Sequence, residues 1–144
     1  MKLLISEVLQ KVSNAKTKAA KIKLLKEHNT PALRSILIVN YDDSVISLLP
    51  PGEVPYNPNG APAGTEHTKL EHEFRKLYLF FKGGSNSIKQ SKREDLFIQM
   101  LEGLHESEAN VLVLAKDKNL QKKYKVTKAV VSEAFPQIQW GGRS

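Results

Sequence analysis

Apolar residues return along this chain with the spacing of helices rather than of strands. Within residues 3–12, Ile5, Val8, Leu9 and Val12 fall at i, i+3, i+4 and i+7, which is one face of a helix. Ser13-Asn14 breaks that pattern before a lysine-rich segment at 17–28, so a helical hairpin with a polar turn is expected. Thr30-Pro31 opens another helix, because a hydroxyl caps free amides and proline needs no hydrogen bond at the first helical position. Leu33, Ile36, Leu37 and Asn40 continue it. Thr68-Lys69-Leu70-Glu71 has the spacing of a capping box, followed by the stripe Leu70, Phe74, Leu77, Tyr78 and Phe81, which Gly83-Gly84 stops. Ser91-Lys92-Arg93-Glu94 repeats the box before Leu96, Phe97, Met100, Leu101 and Leu104. Further helices are expected near 106–116 and 127–134. Residues 36–39 and 111–114 are β-prone, yet no run alternates long enough for a strand. The predicted class is all-α, a compact bundle of six to eight helices with Leu77, Phe97, Met100 and Leu101 in its core.

Two segments fall outside this periodicity. Residues 49–64 hold five of the seven prolines and three of the eight glycines, so a long loop crossing the surface is expected there, either functional or mobile. The tail at 138–144 carries Trp140, the only tryptophan. Nothing repeats, and 144 residues fit a single domain that buries roughly two thirds of its unfolded surface. The absence of cysteine excludes thiol nucleophiles, disulfides and Cys-based metal sites, and fits a reducing compartment. Apolar runs such as 36–39 and 111–115 are far short of the ~20 residues that a membrane span needs, and Glu7 comes too early for a signal peptide. A soluble cytosolic protein with no membrane partner is expected.

No catalytic constellation emerges. His67 and His72 are five apart and do not share a helix face, while His72-Glu73 lacks the second histidine of a zincin. His28 and His105 sit at helix boundaries, where capping is the usual role. GAPAGT at 60–65 lacks the lysine of a phosphate loop, and no strand precedes it. Glu71 and Glu73, like Glu106 and Glu108, are two apart and point to different sides of a helix, and Ser85 has no elbow pattern around it. No enzyme activity, metal or cofactor is expected.

Charge is what remains. The chain has 22 Lys and Arg against 15 Asp and Glu, a formal net charge of +7. Lys11, Lys16, Lys18, Lys21, Lys23, Lys26 and Arg34 face only Glu27 before Asp42 is reached. A second block, Lys116, Lys118, Lys122, Lys123, Lys125 and Lys128, is countered by Asp117 and interleaved with Tyr124. Single lysines usually just solvate helix faces. Two separate blocks, if the fold brought them to one side, would track a phosphate backbone with their amines and with the free amides of helix starts.

The order of these features resembles a known module. VLQKVSNAKTKAAKIKLLKEHN followed by ALRSIL, the proline-rich stretch, EDLFIQMLEGL, EANVLVLAKDKNL and VTKAVVSEAFPQI is similar to the N-terminal all-helical DNA-binding domain of ATP-dependent DNA ligases, particularly the T-even bacteriophage type. The likeness runs from about Leu3 to Ile138, and its motifs are diffuse. The chain also resembles small proteins of T-even-like and marine myoviruses. What the resemblance implies is a stand-alone phage module in the cytoplasm of the infected host cell. Its partner would be duplex DNA, nicked DNA included, together with a separately encoded phage replication or repair protein. Asn14, Lys16, Thr17, Lys18 and Lys21 would contact phosphate from one turn. Lys125, Thr127 and Lys128, with Lys122 and Lys123 of the same block, would do so from the turn before the last helix. No Lys-x-Asp-Gly motif of the ligase adenylation domain is present, so strand joining by this chain is not expected. The competing expectation is a protein-interaction adaptor, a host-takeover factor or virion component, using the 49–64 loop and the Trp140 tail.

Overall fold

A computed structural model of the chain describes residues 3–52, 54–56, 69–84 and 87–142. Among them it is all-α. Seven α-helices follow one another, α1 Ile5–Asn14, α2 Lys18–Glu27, α3 Pro31–Tyr41, α4 Leu70–Glu73, α5 Gln90–Gly103, α6 Glu106–Lys116 and α7 Lys128–Ala134, with 3₁₀ segments at Phe74–Phe80 and Leu120–Lys122. The described residues contain no strand, only an isolated antiparallel bridge between Ser47 and Phe81. None of the described helices is long and apolar enough to cross a membrane.

α6 lies at the centre, packed against α1, α3 and α5, while α2 packs between α1 and α7. This follows from composition: Ala109, Val111, Leu112 and Ala115 give α6 a wide apolar surface that several neighbours bury. The face predicted for α1 is buried as Ile5, Val8, Leu9 and Val12, and α3 buries Leu33, Ile36 and Leu37. The β-prone runs 36–39 and 111–114 lie inside α3 and α6, where burial on a helix face outweighs the preference of their branched side chains. Leu77, Phe97, Met100 and Leu101 are all core.

Three helix starts follow local chemistry. Thr17, Thr30 and Thr127 cap α2, α3 and α7 by accepting from the amides of Ala20, Leu33 and Val130. The second capping box is not used: α5 begins at Gln90 after Lys89, so Ser91 lies inside the first turn. Arg93 stabilises that start from within. It is buried, and its guanidinium donates to the Leu79 carbonyl at 2.9 Å and to Gln90 Oε1 at 2.7 Å. Thr68 of the first box lies outside the described residues, and α4 starts from Lys69 without a side-chain cap.

The stripe predicted at 70–81 also changes. After one α-turn the chain tightens to 3₁₀ geometry, where residues three apart eclipse. Phe74, Leu77 and Phe80 therefore share a side; Leu77 and Phe80 are buried, Phe80 meets Phe97 edge-on at 5.1 Å, and Tyr78 turns outward, 56% exposed. The segment ends at Phe80, and Gly84 returns against it where a side chain could not fit, since a Cβ would lie 2.0 Å from the Tyr78 carbonyl oxygen.

Of the 49–64 loop, residues 57–64 and Glu53 lie outside the described residues, as do Ser85, His67 and the whole of GAPAGT at 60–65. The described part is tied down. Lys116, buried on α6, donates to the Pro50 and Gly52 carbonyls, and Asp117 accepts from the Gly52 amide. Val54 and Tyr56 pack against the core.

Candidate functional site

The two basic stretches meet. α2 lies on α7, and three contacts stitch the end of α1 and the first turn of α2 to α7 and the segment before it. Lys21 Nζ donates to the Lys125 carbonyl, the Lys125 amide donates to Ser13 Oγ at 2.9 Å, and Lys18 pairs with Glu133 at 2.7 Å. The groove between them, about 440 Å³, is lined by Lys18, Lys21, Gln121, Lys125, Val126, Thr127, Ala129 and Val130. Its lining combines three lysines with the apolar Val126, Ala129 and Val130.

The segment carrying Lys122 to Thr127 is held from α3. Asn40, buried, accepts from the Leu120 amide at 3.0 Å and donates to Gln121 Oε1 at 3.0 Å. The Tyr41 hydroxyl donates to the Val126 carbonyl at 2.5 Å, and burial pushes its phenol up to about 12. Ser13, Asn40 and Tyr41 therefore position the site without being part of it. Asn40 had a signal in the sequence, as a polar residue on an apolar stripe, which marks a buried hydrogen bond. Ser13 reads only as a helix breaker, yet its hydroxyl fixes Lys125.

The predicted contact residues fall into distinct groups. Lys16, Lys18, Lys122, Lys123, Lys125 and Lys128 are exposed, and Lys21 is half-buried. Thr17 and Thr127 are exposed, but their hydroxyls serve the caps of α2 and α7, so each lends its helix start rather than a free hydroxyl. Asn14 accepts from Gln10 at 2.9 Å on the surface of α1. Lys123 lies 5.6 Å from the ring centre of Tyr124. That ring is buried, and burial raises its phenol, so Tyr124 is a core residue and not an interleaved surface aromatic.

The second basic block is smaller than the sequence suggests. Lys116 is buried, bonded to Pro50, Gly52 and Asp117. Lys118 donates to the carbonyls of Val39 and Asp42 at 2.9 and 2.6 Å, closing the end of α3. Burial pushes the Lys118 ammonium below the usual lysine range, against the opposing influence of Asp43 and Asp42. Neither is available to a ligand.

The tail is docked. The Gly141 amide donates to the buried Asp42 at 3.0 Å, Ile138 and Trp140 pack against the core, and the Lys128 ammonium sits 5.0 Å over the Trp140 ring. Residues 143–144 lie outside the described residues.

Two of the histidines and one buried carboxylate take structural places. His105 caps α6, its Nδ1 accepting from the Ser107 amide at 3.1 Å, and His28 is the C-cap of α2. Glu108 is buried and accepts from the amides of Ile5 and Leu70, the first residues of α1 and α4. Among the described residues no three His, Asp or Glu converge as metal ligands. A second cleft, about 310 Å³ between Leu4, His28, Thr30, Lys69 and Glu71, gathers none of the predicted contact residues.

No curated protein and no solved structure matches the chain. A family model described as a family of unknown function, DUF6433, matches residues 8–122, which runs from α1 through the 3₁₀ turn that carries Lys122. Since that span is most of the chain, the protein belongs to the DUF6433 family.

Proposed function

We propose that the chain is a non-enzymatic duplex DNA-binding module of a bacteriophage, accessory to replication, repair or recombination in the cytoplasm of the infected cell. It grips backbone phosphates with little sequence preference. The observation that carries this reading is the juxtaposition of the end of α1 and the start of α2 with Lys125, residues more than 100 apart in sequence, through Ser13 and Lys21. Lys18, Lys21 and Lys125 line one groove there, and Lys16, Lys122, Lys123 and Lys128 are their near neighbours in sequence. Phosphate is the ligand such a lysine array fits, because an ammonium is a compact point charge without the planar fork that reads an edge in two parallel bonds. The resemblance to the ligase DNA-binding domain supports the same choice and adds nicked duplex to the candidate substrates.

Fluorescence anisotropy with a labelled duplex tests it. Four to six phosphate contacts imply a slope of log affinity against log salt of roughly −4 to −5. Replacing Lys18, Lys21 and Lys125 by Gln should weaken binding and flatten the slope by about one unit per lost contact. The same change at Lys69 and Lys76, on the α4 side of the molecule, should do little. Equal losses from both sets would mean a diffuse cationic surface with no defined site. Undetectable binding at low salt would move the assignment to the second reading, a protein-interaction adaptor. That reading is favoured by the apolar residues that line the groove beside its lysines, Val126, Ala129 and Val130, which would suit an acidic amphipathic segment.

A further inference from the structure

We infer that Trp140, together with Lys128, forms a stacking site for an unpaired nucleobase at the edge of the lysine face. The preferred ligand is then a duplex that ends in a short single strand rather than an uninterrupted one. This rests on the DNA-binding reading above and refines its substrate.

Three observations carry it. First, the ring is placed at the site: Lys128 opens α7 directly after Thr127, and its ammonium lies 5.0 Å over the indole. One face of the ring thus meets the end of an exposed lysine instead of packed side chains. Second, the ring is held. Trp140 is half-buried against the core, between Ile138 and a Gly141 whose amide donates to buried Asp42. Gly141 has φ +91°, a conformation that a side chain disfavours, so the bend that follows the indole is built in. Third, the exchange is favourable in kind. An exposed ammonium gains little from an aromatic face, while a nucleobase stacked on an indole gains more, and the displaced ammonium can move to the adjacent phosphate. A base pair inside a duplex is covered on both faces and a terminal pair offers only one face, fixed to its partner, so an unpaired base, free to tilt onto the indole, makes this contact best.

Trp140 is the only tryptophan in the chain, which makes the test direct. Intrinsic fluorescence would be titrated with a blunt duplex and with a duplex of equal phosphate count ending in a single-stranded overhang, with labelled-DNA anisotropy run in parallel. The expected result is strong quenching by the overhang duplex and little by the blunt one, with the overhang duplex bound roughly 5- to 100-fold tighter. Trp140→Leu should remove that preference in the anisotropy assay. Should Trp140→Leu fail to fold, the wild-type quenching difference decides alone. If both duplexes bind equally and quench equally, the stacking site is wrong and the phosphate-binding face stands. If neither binds at low salt, the DNA reading itself falls and takes the stacking site with it.

Discussion

Tyr41 holds the lysine face in place from beneath. Its hydroxyl is the one side-chain donor that α3 sends to the Val126 carbonyl, midway between Lys125 and Thr127. Tyr41→Phe should cost about 1 kcal/mol, the ordinary worth of such a hydrogen bond, and weaken DNA binding by loosening Lys125. It also carries a pH signature. The folded phenol titrates at about 12 against 10.0 in the open chain, so between these values the folded state holds more protons and stability falls as pH rises. Denaturation followed from pH 9 to pH 12 should show a shallower fall in the Phe variant than in the wild type; parallel curves would mean that Tyr41 does not carry the effect. At this scale the sequence is readable where chemistry is local. Thr17, Thr30 and Thr127 cap helices because a hydroxyl next to a helix start needs nothing from elsewhere. Lys116 and Lys118 were unreadable, because a lysine is buried only when carbonyls arrive from distant segments, here Pro50, Gly52, Val39 and Asp42. Lys118 even takes φ 59°, the position after a helix where glycine is usual, while its amide and that of Asn119 return to the Ala115 and Leu114 carbonyls.

Between elements, the same logic makes Glu108 a joint. Its two carboxylate oxygens accept at 2.9 and 3.0 Å from the amides that begin α1 and α4, so α6 terminates the donors of two other helices with one buried anion. Glu108→Gln would set an amide NH₂ against one of those donors. A loss of roughly 1.5 to 3 kcal/mol is expected in urea denaturation, the usual range for hydrogen bonds to a charged group. Faster amide exchange should appear at Ile5 and Leu70. A loss under half a kilocalorie would show that another group can take over both amides. Nothing at 106–108 distinguishes this residue from Glu106, which is exposed; only the arrival of α1 and α4 does. The 3₁₀ segment was hidden for a similar reason. The residues Phe74, Leu77, Tyr78 and Phe81 satisfy a 3.6-residue stripe, but Phe74, Leu77 and Phe80 satisfy a three-residue one equally well. Packing of Phe80 on Phe97 and the bridge that pairs Phe80 and Lys82 with Leu48 and Ile46 select the tighter winding.

For the molecule as a whole, the lysine excess of the two blocks was legible in the sequence, but its meeting was not, because nothing local states that α2 lies on α7. That packing also brings in an acid that the charge count treated as remote. Glu133 reaches Lys18 across the α2–α7 contact at 2.7 Å, with both side chains 54% exposed. A pair so exposed contributes little to folding, typically under about 1 kcal/mol, since water screens the attraction and two mobile side chains lose freedom to make it. Its effect on a polyanion is larger in kind, because Glu133 both repels phosphate and occupies Lys18. Glu133→Gln should therefore leave thermal stability nearly unchanged while raising duplex affinity at low salt. It should also steepen the salt slope by up to ~0.9, the contribution of one recovered phosphate contact. Raising the ionic strength should erase most of the gain, as screening shortens the reach of the removed charge. Anisotropy at two salt concentrations measures both quantities in one experiment. An affinity that falls, or a slope that stays flat while Lys18→Gln still weakens binding, would mean that Lys18 orders the α2–α7 groove through Glu133 instead of meeting phosphate itself.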